Sequence, residues 1–222
     1  MLLRSAAQEA TTLFLGHFAL GMAAKKAHPE VSLATAFLAA QLPDVLWPVL
    51  VLAGVEHVAI APGDTVVTPL RFESYPYSHS LLAVGLWAAA FAALHFVRHR
   101  RLRAAALLAG LILSHWVLDA LSHRADMPLL PWGGVRVGLG LWQSLPATLA
   151  VEGLLFALGV VFYLQATRGR PGGGRFAWLA AFLAVGYLTN VFGPPPPSVT
   201  AVAFAGLLGA VLLPGWAAWA DR

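Results

Sequence analysis

Apolar stretches of roughly 15 to 25 residues follow one another from about Ala10 to Trp219, parted by short polar or glycine- and proline-rich breaks. That succession constrains the fold more than any other feature. In hydrocarbon each backbone N–H and C=O needs a partner inside the segment or in a closed barrel, so stretches of this length become helices. The composition agrees. The chain is 59% hydrophobic and 11% charged, where a soluble domain carries about 25% charged residues. Its mean hydropathy is +0.74. A soluble globular domain is excluded, and an all-α polytopic transmembrane helix bundle is expected.

About seven spans can be placed at roughly 20 residues each. They run from about Ala10 to Ala24, Val31 to Val55, Ser78 to Val97, Arg103 to His123, Leu145 to Gln165, Phe176 to Phe192 and Val199 to Trp219. The first is short, carries Gly16, His17 and Gly21, and is a candidate re-entrant segment. The second is interrupted by Pro43 and Pro48. Long connections run from Glu56 to Tyr77 and from Arg124 to Trp142. A boundary near residue 167 divides an expected helical core, 1–167, from two further helices, 168–222. The start, MLLRSAAQEATTLFLG, lacks the pattern of a conventional signal peptide.

The 14 Lys and Arg residues set the orientation. With the N-terminus outside, Lys25, Lys26, Arg98, Arg100, Arg101, Arg103, Arg168, Arg170, Arg175 and Arg222 fall inside, leaving Arg4, Arg71, Arg124 and Arg136 outside. The positive-inside rule therefore favours N-out and C-in, in the inner (cytoplasmic) membrane. The net charge of +4 is a topology signal and not a nucleic-acid patch; the expected partner is the bilayer.

Against this apolar background, His17, Asp44, His79, His115, Asp119 and Glu152 stand inside or at the edge of spans. A charge at membrane depth costs roughly 2.5–3.5 kcal/mol on insertion scales, so such residues mark sites. Cysteine is absent, which leaves nitrogen and oxygen as the only metal donors. In SHWVLDALSH, His115, Asp119 and His123 recur at i, i+4 and i+8 on one stripe, a spacing that lets two side chains hold one metal. In YSHSLL, His79 sits between Ser78 and Ser80 at the start of a helix, where Ser78 or Tyr77 is expected to cap. In QLPDVLW, Pro43 breaks the span and Asp44 opens a fresh helical half, with Gln41 beside it as a hydrogen-bonding partner. Glu152, surrounded by apolar residues, calls for a cation, a metal or a proton. On the N-out topology these groups converge on a polar pocket in the extracytoplasmic half.

Taken together, His17 with Gly21, Leu42-Pro43-Asp44, Ser78-His79-Ser80, His115 with Asp119, and Pro131-Trp132 resemble the predicted membrane-bound metal-dependent hydrolases of bacteria, a family that includes the LexA-regulated inner-membrane hydrolases. GLGLWQSLPATLAVE, ending at Glu152, is similar to a run in such proteins, and the resemblance covers roughly residues 12–165. Two positions depart from the pattern. Leu46 stands where the family has a second acid, and Tyr75-Pro76-Tyr77-Ser78 stands where it has Arg-Gly-x-Thr. The resemblance implies a hydrolase with a divalent metal, most simply zinc, held by His17, Asp44, His79, His115, Asp119 and Glu152. Glu152 or Asp44 would be the general base, with Ser78, Ser80, His123 and Gln41 near the substrate, and a lipid or lipid-linked ester would be that substrate. A metal-ion or proton transporter and a catalytically silent membrane scaffold are the alternatives.

Overall fold

A computed structural model describes residues 15–169 and 172–222. The order is α1 (Leu15–Ala27), α2 (Leu33–Ala40), α3 (Leu42–Leu52), β1 (His57–Ile60), β2 (Leu70–Ser74), α4 (Pro76–His79), α5 (Leu81–His99), α6 (Leu102–Ser122), β3 (Met127–Pro128), β4 (Arg136–Val137), α7 (Leu145–Ala166), α8 (Gly173–Phe192) and α9 (Val199–Ala220). The protein is mostly helical, as its apolar periods require. Among the described residues five helices, α5 to α9, are long and apolar enough to cross a membrane; α2 and α3, bent by 54°, would make a sixth if counted as one broken span.

Among the described residues this accounts for five of the expected seven spans, or six with the bent pair. The difference lies in the first segment. The described helix α1 has 13 residues, and at 1.5 Å per residue it is about 20 Å long, short of the roughly 30 Å hydrocarbon core. The part of that expected span before residue 15 lies outside the described residues.

The helical bundle carries one addition, because each long connection folds into a two-stranded antiparallel hairpin. β1 pairs with β2 and β3 with β4. In His57-Val58-Ala59-Ile60 only Val58 is buried, and the Pro62-Gly63-Asp64 turn, with Gly63 at φ 92°, lets the chain reverse. Both hairpins lie at the end of the bundle opposite Lys25, Lys26, Arg98, Arg100, Arg101, Arg103 and Arg168. Trp47, Val58, Leu70, Tyr75, Met127 and Val202 bind the hairpins to the helices in one apolar cluster.

α1 runs alongside α7, the most extensive helix pair. Gly159 makes that approach possible: a Cβ there would stand 2.6 Å from the Ala19 carbonyl oxygen and 2.7 Å from Ala19 Cα. At the basic end, Asp221 fastens several elements. Its Oδ2 accepts from Lys25 Nζ and from the Leu33 amide, both at 2.9 Å, and its Oδ1 accepts from Tyr163 Oη at 3.2 Å. α8 and α9 are not an appendage. Leu179, Leu183 and Leu213 share one core cluster with Phe18 of α1, Phe37 of α2 and Tyr163 of α7.

Candidate metal centre

The break between α2 and α3 sets up the site. Gln41 leaves helical geometry (φ −107°, ψ 8°), Pro43 fits the first turn of α3, where its missing N–H costs nothing, and Asp44 stands in that same turn. The carboxylate expected at a fresh helical start is there. α6 contributes His115 and Asp119 from adjacent turns of one face, with His115 Nε2 3.2 Å from Asp119 Oδ2. α1 supplies His17, whose Nε2 is 3.2 Å from Asp119 Oδ1. His79 ends α4, and its Nε2 lies 3.4 Å from Asp44 Oδ1 and 3.6 Å from Asp119 Oδ2.

These side chains meet. The ligand atoms of His17, Asp44 and His115 all lie within 4.8 Å of one another, and so do those of His79, His115 and Asp119. Four of the five side chains are buried; Asp44, with 27% of its side chain exposed, is the open one.

The hydrogen bonds behind the imidazoles decide what the front can do. His115 Nδ1 is 2.8 Å from the Ala40 carbonyl oxygen. A carbonyl only accepts, so Nδ1 donates, and in the neutral ring Nε2 then carries the lone pair. On the far side, Ser78 Oγ donates to Glu56 Oε2 at 2.5 Å. Its single proton is thus committed, so it accepts from His79 Nδ1 at 2.7 Å. His79 Nε2 is therefore also a lone-pair acceptor. Both acceptors face carboxylate oxygens at 3.2 to 3.7 Å. Acceptor against acceptor is repulsive unless positive charge lies between them. The donor set fits a divalent cation: imidazole nitrogens fixed by outer hydrogen bonds, alternating with carboxylate oxygens, is how metal-binding histidines are held.

Glu56 is the participant the sequence did not offer. Buried at 1% exposure, it also accepts the amides of Tyr77 and Ser78 at 2.8 and 2.9 Å through Oε1. It stands 22 positions before Ser78, after the end of α3, and no local spacing ties the two together.

The remaining expected site residues stand around this centre. Glu152 is buried in α7, and its Oε2 accepts the Gly16 amide at 2.7 Å; it belongs to neither group of converging ligand atoms. Ser78 acts through His79. Ser80, rather than Ser78 or Tyr77, caps the following helix: its hydroxyl accepts the Ala83 amide at 3.2 Å, and the N-cap of the short α4 is Tyr75, with no side-chain bond. Gln41 flanks Asp44 at the helix break. His123 caps the end of α6 and turns to a second polar cluster, its Nδ1 3.1 Å from Asp126 Oδ1.

That second cluster lies in the hairpin layer. Tyr75 Oη donates to Asp126 Oδ1 at 2.8 Å, and Arg124 bridges Asp126 and Asp64 at 3.1 and 2.8 Å. Burial alone would raise the Asp126 carboxyl. The bonds from His123, Tyr75 and Arg124 outweigh it and hold the group below the usual carboxylate value. Burial, followed by the neighbouring Asp126 charge, pushes the Tyr75 hydroxyl up, so it stays a donor. The Tyr75 ring stands edge-on to His79 with centroids 5.5 Å apart, and the hairpin layer thereby roofs the centre.

A multi-pass helical membrane protein with a cluster of histidines and aspartates that could hold a metal ion is the class that this fold and site define. The chain belongs to the YdjM inner membrane protein family, whose model matches residues 9–194. The match runs beyond the 12–165 of the sequence resemblance and takes in α8. No curated protein and no solved structure matches the chain.

Proposed function

We propose that the protein is a membrane-embedded metal-dependent hydrolase acting on a lipid or lipid-linked ester at the extracytoplasmic interface. The observation that carries the reading is the pair of tautomer-fixed imidazoles, His79 and His115, whose Nε2 lone pairs face the carboxylates of Asp44 and Asp119. His17, Asp44, His79, His115 and Asp119 would hold the ion; the imidazole and carboxylate donors and the absence of cysteine favour zinc. When bound, such an ion lowers the pKa of a water and polarises a substrate oxygen.

The chain's own residues do the rest. Asp44 is the most open carboxylate of the group and is assigned the general base, taking the proton of the attacking water and returning it to the departing alkoxide. Glu152 holds the Gly16 amide and is assigned a positioning role, keeping the first turn of α1, and so His17, against α7. Glu56 and Ser78 orient His79. The hairpin layer limits water on the His79 side.

The distribution of charge supports a cytoplasmic basic end, with the hairpins and the centre in the extracytoplasmic half. The opposite end carries Lys25, Lys26, Arg98, Arg100, Arg101, Arg103, Arg168 and Arg175, while the hairpin layer carries Arg71, Arg124 and Arg136 together with Glu56, Asp64, Glu73 and Asp126.

The test is elemental analysis of protein purified without chelator, joined to release of a labelled fatty acid or headgroup from lipid vesicles. Bound zinc, with turnover lost on chelation and regained on adding zinc, is expected. Protein free of metal, or turnover indifferent to chelator, overturns the reading.

A further inference from the structure

A cavity of about 300 Å³ opens beside the centre. One wall is the α2–α3 break and the other is the stretch of α9 from Ala205 to Pro214. Along α9 the lining is wholly apolar. The hydrogen-bonding side chains of the lining, Gln41, Asp44 and Trp47, come from the break alone. Two of them have unmet valence: Gln41 Oε1 and Trp47 Nε1 are buried without a hydrogen-bond partner. Asp44 is the carboxylate shared with the metal centre. On the other side, Phe182, Leu208 and Leu212 are 48%, 49% and 55% exposed on the lipid-facing surface, so the cavity has its rim in the bilayer.

We propose that this cavity seats one fatty-acyl tail of a bilayer lipid, which enters sideways between α3 and α9 and brings its ester to Asp44. A space walled by hydrocarbon and rimmed by hydrocarbon takes up hydrocarbon, because an unfilled one forfeits dispersion contacts on every wall. The volume selects the size. It is at the lower end of small-molecule pockets, with room for one tail and not for a whole diacyl lipid. The length agrees: residues 205–214 rise about 14 Å along α9. The break holds what an ester needs, since the buried, unpartnered Trp47 Nε1 and Gln41 Oε1 would, on a turn of their side chains toward the cavity, donate to a carbonyl oxygen and accept from a neighbouring hydroxyl. The two helices close together at Gly206, where a Cβ would stand 3.4 Å from Pro48 Cγ, and that narrowing suits an unbranched chain.

The fate of the ester rests on the hydrolase reading above. There, the water oxygen bonds to the acyl carbon, the acyl C–O bond breaks, and the water's proton ends on the released lyso-lipid alcohol, leaving a fatty acid. The seat itself stands without that step, and the experiment separates the two.

The full chain is placed in vesicles of phosphatidylethanolamine and phosphatidylglycerol containing a small share of phosphatidylglycerol with a diazirine on its acyl tail. After irradiation, adducts are mapped by mass spectrometry, and bound metal is measured on the same samples. Adducts are expected to concentrate on Ala205–Leu213 and on Phe37–Trp47. A Cβ at Gly209 meets nothing nearer than Leu213 Cδ1 at 3.9 Å, so Gly209→Leu fills the cavity and should cut these adducts about tenfold at unchanged metal content. Leu208→Trp, at the exposed rim, is the second obstruction and should act in the same direction should Gly209→Leu not fold. Adducts spread over the lipid-facing helices in proportion to exposure, and unmoved by both variants, overturn the proposal. Stronger labelling of the same residues by a polyprenyl-phosphate probe overturns the acyl assignment. Cavity adducts in protein that binds no metal and releases no fatty acid would keep the seat and remove the hydrolase.

Discussion

His17 and His115 stack face to face, with ring centroids 3.9 Å apart and planes 13° from parallel, although they lie on different helices and 98 positions apart in the chain. Both rings turn Nε2 toward Asp119, one to each carboxylate oxygen, at 3.2 Å in each case. The stack thus fixes two imidazoles at one carboxylate. It makes α1 and α6 joint owners of the centre.

His115→Ala and Asp119→Ala should therefore each abolish bound metal and turnover, because either change removes a member of the group that also orders its neighbours. His95→Ala should leave both unchanged. His95 lies on α5, where its ring faces His99 at 4.5 Å, away from the centre. Metal content measured on folded, monodisperse protein checks the set; folded Asp119→Ala that keeps its metal and rate would reduce Asp119 to a packing residue.

Glu56→Gln should weaken metal binding by about 10- to 100-fold, the usual effect of losing an outer hydrogen bond to a ligand histidine. The glutamine keeps the size but no longer commits the Ser78 proton as the carboxylate does. Competition with a zinc-binding dye gives the affinity, and an unchanged value would show that Ser78 orients His79 unaided.

Gly159→Leu should destabilise the protein by about 1–3 kcal/mol, the range for overpacking, because the added atoms meet the Ala19 backbone. Pushing α1 off α7 should also carry His17 away, so bound metal should fall with the melting temperature. A melting temperature equal to wild type would contradict the close approach.

The Asp126 carboxyl is held below its ordinary value, so its folded pKa lies under the unfolded value of about 3.9. Its contribution is then present at neutral pH and is lost as pH falls through the folded value. Asp126→Asn should melt lower than wild type at pH 7, and the two melting curves should converge at strongly acidic pH. A gap that stayed constant down the titration would assign the loss to something other than the charge.

Orientation is open to a labelling test, since the chain has no native cysteine. Val135→Cys sits at an exposed hairpin position and Leu102→Cys at the exposed start of α6. An impermeant maleimide added outside intact cells should label Val135→Cys and spare Leu102→Cys. The reverse pattern would put the centre on the cytoplasmic face.

The sequence carried the long helices plainly, because α5 to α9 are set by length and hydropathy alone. It also carried His115 with Asp119, since i and i+4 share a face in any helix, and the break at Pro43 that frees Asp44. What it could not carry were relations made by tertiary contact. The β1–β2 and β3–β4 pairings involve runs of two to five residues, too short for a period to register. Glu56 reaches Ser78 only after the chain has reversed through the β1–β2 hairpin. Glu152 has the isolation of a ligand in the sequence, but in the fold it meets the amide of Gly16. The α1 segment has the composition of a span, but its composition says nothing of its close packing along α7.

Asp221 has a consequence for how the protein is made. The converging residues from His17 to Asp119 are all translated before α8 and α9, yet the buried Lys25 ammonium has no counter-charge until residue 221 emerges. An intermediate halted before α9 therefore keeps an uncompensated cation between its first two helices, along with an open flank where α9 would cover Trp47. The ion pair therefore links an early helix to a late one: Lys25 of α1 meets its carboxylate partner only once α9 has been made.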